Sequence, residues 1–109
     1  MAVTFKPEVV KEFEAVAACY PVRRAALLPA LWLAQREFGW ISEEAMVCVA
    51  KLVGVSPMQV MEVAGFYTMY QKNKPGKYHL QVCQTIACLL AGSEEIKKTI
   101  ERVLDLKPG

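Results

Sequence analysis

The stretch Gly76-Lys-Tyr-His-Leu-Gln-Val-Cys-Gln-Thr-Ile-Ala-Cys88 decides the fold, because the periodicity of the chain changes there. Tyr78, Leu80 and Val82 alternate with His79, Gln81 and Cys83, the period-2 pattern of a β-strand. Lys74-Pro75-Gly76-Lys77 leads into it, with Pro and Gly placed as a type II turn prefers. Beyond Cys88 the period lengthens. Ile96, Ile100 and Val103 recur at helical spacing, Ser93 is a candidate cap, and Glu94 is placed to pair with Lys98. Turn, strand, loop and helix open a βα unit, and a single strand cannot satisfy its own backbone edges. Lys107-Pro108-Gly109 reads as a further turn.

Upstream of the turn the chain reads as helices. Pro7 opens the first, whose face carries Phe13, Val16, Ala17 and Tyr20, and Pro21 breaks it. Leu27, Leu31, Ala34 and Phe38 form the stripe of a second, flanked by Leu28 and Trp32. Pro29 lies in its first turn or kinks it, and Gly39 ends it. Ser42, followed by Glu43 and Glu44, starts a third helix that buries Met46, Val49, Ala50 and Val53 and stops at Gly54. Ser56, Pro57 and Gln59 make a capping box for a fourth, continuing through Val60, Met61 and Ala64. The aromatic set Phe66, Tyr67 and Tyr70 reads as helix-packing core, and Arg23 and Arg24 as a solvated helix start. The expected architecture is α+β and mostly α: a helical module over residues 1–72, then the start of a βα domain over 73–109.

Composition narrows the function. The chain has 109 residues, 54% of them hydrophobic, enough for one packed core and too many for a disordered tail. Thirteen basic and eleven acidic residues are scattered along it, for a net charge of +2, so no dedicated nucleic-acid or anionic-membrane surface is expected. The longest apolar run, Ala25 to Ala34, is interrupted by Pro29 and falls far short of the about 20 residues of a membrane span. Arg23 and Arg24 sit at the wrong distance from Met1 for a signal peptide, so the four cysteines at 19, 48, 83 and 88 are expected to be reduced. One histidine, His79, leaves little for a His-rich zinc site or a Ser-His-Asp triad, and the glycines form no phosphate-binding loop.

Cys83 and Cys88 are the strongest candidates for chemistry. They bracket four residues at the carboxyl end of the expected strand, where α/β units place their ligand sites. An x4 spacing suits iron–sulfur or zinc ligation but supplies only half of a four-ligand site. Burial as ordinary core residues is the plain alternative. A plant-type ferredoxin would place a cysteine at position 91, which is alanine, and thioredoxin chemistry would require C-x-x-C. Cys19 and Cys48 lie in apolar helical stretches and read as core filler. His79 shares a strand face with Gln81 and Cys83, where it would hydrogen-bond near a metal group, ligate zinc, or simply be a half-exposed polar residue.

Four segments together carry a resemblance. Pro21-Val-Arg-Arg-Ala-Ala-Leu-Leu-Pro, Gln35-Arg-Glu-Phe-Gly-Trp-Ile-Ser, Val60-Met-Glu-Val-Ala-Gly-Phe-Tyr-Thr-Met-Tyr and Gly76 to Cys88 resemble, in order and spacing, the 24 kDa iron–sulfur subunit of respiratory complex I. In bacteria this is the E-type family of NADH-quinone oxidoreductase subunits, and the resemblance runs from about Phe13 to Lys107. It implies a thioredoxin-like domain holding a [2Fe-2S] cluster through a C-x4-C pair and a later C-x3-C pair. Cys83 and Cys88 match the first pair, and no C-x3-C pair occurs in the 109 residues. The implied role is electron carriage beside a flavoprotein subunit that binds FMN and NADH, without a catalytic site on this chain. The implied location is cytoplasmic, or the mitochondrial matrix in a eukaryote, peripheral to the membrane through the complex. Subunits of NAD-dependent formate dehydrogenases and NAD-reducing hydrogenases share the motifs. A cluster-free assembly module that docks the same partner is the alternative from another class.

Overall fold

The computed structural model describes residues 3–108. Two compact units follow one another along the chain, dividing between Gly76 and Lys77. Gly109 of the expected terminal turn lies outside the described residues.

The first unit is built from α1 (Pro7–Ala17), a 3₁₀ turn (Arg23–Ala26), α2 (Leu27–Phe38), α3 (Glu43–Val53) and α4 (Pro57–Phe66). Helix α2 is central and packs on α1, α3 and α4. Phe13, Leu31, Ile41, Val49 and Val60, one from each helix plus the loop after α2, are fully buried. Each such side chain contributes roughly 1.5–3 kcal/mol of burial free energy. The helix ends follow the local chemistry of the sequence. Ser42 Oγ accepts from the Ala45 amide at 3.1 Å. Ser56 and Gln59 close a reciprocal capping box, with each backbone amide donating to the other's side chain. Gly39 and Gly54 end α2 and α3 at φ 84° and 86°, a left-handed region that costs other residues a Cβ clash.

Several expectations are corrected here. Helix α1 ends at Ala17, so Tyr20 falls in the following turn and is exposed. Of the two readings of Pro29 the first-turn one holds: it is the third residue of α2, where its missing amide has no intrahelical partner to lose. Arg23 opens the 3₁₀ turn and is exposed, as a solvated helix start would be, but its side chain is fully engaged. Its guanidinium grips both carboxylate oxygens of Glu14 at 3.0 and 2.7 Å and donates to the carbonyls of Leu52 and Val53 at 2.7 and 3.1 Å. It also lies 5.1 Å over the Phe13 ring. One side chain thus ties α1 to the last turn of α3, whose terminal carbonyls lack helical partners.

The aromatic set divides. Tyr70 is buried, donates its hydroxyl to the Leu28 carbonyl at 3.0 Å and meets Trp32 edge-on. Tyr67 is half-buried, whereas Phe66 is 77% exposed and so is not core. Gln35 holds the segment after α4 from both ends of its amide: Nε2 donates to the Met69 carbonyl and Oε1 accepts from the Gln71 amide. Among the described residues no single helix is long and apolar enough to cross a membrane. Helices α3 and α4 meet that criterion only together, bent by 114°.

The second unit contains two helices, α5 (Ile86–Ala91) and α6 (Ser93–Leu104), joined at Gly92 with φ 110°. The strand expected over Tyr78–Cys83 does not form: residues 79–84 have no regular structure, and no strand occurs among the described residues. The physical reason is pairing. A strand exists through a ladder to a second strand, and none of the described residues supplies one. The α-helical content is therefore the observed architecture, and the βα unit is not. Helix α6 keeps its periodicity, but Ile96 and Val103 remain exposed on it. Ser93 is its first residue rather than its cap, with a buried hydroxyl that has no hydrogen-bond partner among the described residues.

Candidate metal centre

Cys83 lies two residues before Thr85, the N-cap of α5, and Cys88 is the third residue of that helix. The intervening turn is closed by the Leu89 amide donating to the Thr85 carbonyl at 2.8 Å. The two thiols thus stand at either end of the turn that opens α5, with four residues between them in sequence. Both are exposed and neither is in a disulfide. Thr85 Oγ1 sits 3.0 Å from Cys83 Sγ, so the side chain that would ordinarily cap α5 is directed at sulfur instead.

The pair is electrostatically unequal. The Cys83 thiol is held below its ordinary range by hydrogen bonds from the Thr85 side chain, the Thr85 backbone and then the Cys88 thiol. Cys88 is pushed up, because it is the proton donor to Cys83 and would have to ionise beside a thiolate. The first proton leaves the Cys83 end of the pair, and the second leaves against that charge. The donor set is soft and accessible, the type that iron–sulfur clusters and zinc accept. It fits half of a four-thiolate site. Among the described residues no cluster of three or more His, Cys, Asp or Glu side chains is placed to hold a metal ion.

His79 lines an open groove of about 750 Å³ between residues 77–84 and α6, together with Leu80, Val82, Ile100 and Leu104. The strand face it was expected to share with Cys83 is not formed. Cys19 is exposed just beyond the end of α1, a correction to its reading as core filler, and its Sγ approaches the Ala15 carbonyl at 3.7 Å. The cause is the early end of the helix. Cys48 is half-buried, and burial pushes its thiol up against the opposing effects of a Phe5 backbone hydrogen bond and Lys51. Thr85 is the site residue that sequence reasoning passed over. The available signal was a hydroxyl residue between two cysteines, two positions from the first.

Comparison with known proteins adds to this geometry. The family model of the thioredoxin-like [2Fe-2S] ferredoxin matches residues 13–109. NADH-quinone oxidoreductase subunit 2 of Thermus thermophilus is 49% identical over 87 residues, covering 80% of this chain and 48% of that protein. The second E-type NADH-quinone oxidoreductase subunit of Rhizobium meliloti is 40% identical over 99 residues, 91% of this chain and 59% of the relative. The mitochondrial NADH dehydrogenase [ubiquinone] flavoprotein 2 of Dictyostelium discoideum is 45% identical over 108 residues, 96% and 44% respectively. The chain spans about half the length of the curated relatives it matches.

Proposed function

Because the chain belongs to the thioredoxin-like [2Fe-2S] ferredoxin family, we propose that it serves as an electron-carrying subunit of an NADH-oxidising complex of the NADH-quinone oxidoreductase type. Cys83 and Cys88 are two of the four thiolate ligands in this reading, and the other two come from outside residues 1–109. A [2Fe-2S] cluster, when bound, accepts and passes on one electron at a time. The work of this chain is narrower: two thiolates hold iron, the turn before α5 fixes their spacing, and nearby donors tune the charge on sulfur. FMN and NADH belong to a flavoprotein neighbour, and the assembly sits beside the membrane through its complex. The single observation that carries the reading is the placement of two accessible thiols at either end of the turn that opens α5.

The reading is tested on the full-length polypeptide purified without oxygen. It should be red-brown and give a [2Fe-2S] EPR signal on reduction, lost in Cys83→Ser and Cys88→Ser. Colourless protein with stoichiometric zinc sinks the carrier reading. Native pull-down should also recover a flavin-containing subunit, and its consistent absence counts against the proposed partner. The second reading, a cluster-free docking module, is favoured by one feature: the first unit has a packed core of its own, with Phe13, Leu31, Ile41, Val49 and Val60 fully buried.

A further inference from the structure

We propose that Thr85 is a positioning residue for this site, its hydroxyl donating a hydrogen bond to the sulfur of Cys83 and raising the reduction potential of the cluster that this thiolate would hold. The inference rests on the ligand reading of Cys83. Its geometric basis is the 3.0 Å separation of Thr85 Oγ1 and Cys83 Sγ. A sulfur bound to iron carries no proton, so in that contact only the hydroxyl has a hydrogen to give. A second observation agrees with the first. Threonine at an N-cap usually spends its oxygen accepting an amide of the first turn, yet Thr85 makes no side-chain cap bond to α5. Its backbone is nonetheless in the extended conformation typical of a cap, at φ −74° and ψ 167°. The side chain is therefore placed by the turn and directed at sulfur. Donors to cluster sulfur favour the more negative, reduced form, and that sets the sign of the effect.

The experiment compares wild type, Thr85→Val, Thr85→Ala and Thr85→Ser in the full-length polypeptide within its complex. EPR-monitored redox titration gives the midpoint potential, and iron and sulfide analysis gives cluster content. Val and Ala should keep the cluster and shift its one-electron equilibrium about tenfold toward the oxidised form, about 59 mV lower. Ser, which keeps the hydroxyl, should stay close to wild type. The coupling of an exchangeable deuteron in pulsed EPR should be present in wild type and Ser and missing in Val and Ala. Unchanged potentials in Val and Ala overturn the assignment, as does an equal shift in all three variants. Loss of the cluster in Val and Ala alike also overturns it, since a tuning hydrogen bond leaves ligation intact. Those results leave Cys83 and Cys88 as ligands, whereas wild type devoid of any [2Fe-2S] cluster overturns the ligand reading and this inference together.

Discussion

The first unit hides its apolar stripes and the second displays them. In α1 to α4, residues at helical spacing close on one another, and Phe13, Leu31 and Val49 lose all contact with solvent. In the second unit the same kind of pattern, Ile96 and Val103 on α6 with Leu90 on α5, stays 57%, 68% and 84% exposed. Amphipathic periodicity therefore records that a face is to be covered, and says nothing about which residues cover it. A helix module is satisfied by neighbouring helices within reach along the chain. A strand has no such option, because its ladder needs a second strand that the described residues do not supply.

The sharpest contrast is between equivalent truncations in the two units. Phe13→Ala should cost about 3–5 kcal/mol in denaturant unfolding, as a fully buried aromatic leaves a cavity. Val103→Ala in the second unit, at 68% exposure, should stay within about 0.5 kcal/mol. Comparable losses at the two positions would break the distinction between covered and uncovered faces.

Alkali provides the next test of the first unit. Burial pushes the Tyr70 hydroxyl up from 10.0 to about 12, with Tyr67 as a smaller cause. Between these values the unfolded chain gives up its phenolic proton while the folded chain retains it. Stability is thus full below pH 10 and falls as pH rises toward 12, by roughly 2–3 kcal/mol in all. Tyr70→Phe should start less stable, through loss of the Leu28 bond, and show a shallower alkaline decline. An identical slope would remove Tyr70 as its source.

Smaller again is the Arg23 tie. Arg23→Ala should destabilise the first unit by about 1–2 kcal/mol through the unmet carbonyls of Leu52 and Val53. Glu14→Gln should do less, because that ion pair is exposed and screened by salt. Gly54→Ala should cost about 1 kcal/mol. No atom lies within 4 Å of the added Cβ, so the cost is purely the left-handed backbone.

Caps and stops are the most legible features of the sequence, because their chemistry is local. Ser42, Ser56 with Gln59, Gly39 and Gly54 each act through residues within four positions. Arg23 is illegible for the converse reason, since its carbonyl partners lie 29 and 30 residues away. The exposure of Cys19 turns on two residues of helix length, enough to move a side chain from interior to surface. The alternation over Tyr78–Cys83 reads as a strand, yet alternation supplies no ladder partner. At the candidate site the spacing singles out Cys83 and Cys88, while the role of Thr85 depends on a rotamer that composition does not encode.

Native mass spectrometry with iron and sulfide analysis tests the central claim most directly, because it reads cluster content and oligomeric state together. The full-length polypeptide should carry two irons and two sulfides, lost in Cys83→Ser, and a monomer of residues 1–109 should carry none after reconstitution. A monomeric 1–109 polypeptide that holds two irons and two sulfides, and loses them in a Cys19→Ser, Cys48→Ser double variant, would contradict the account.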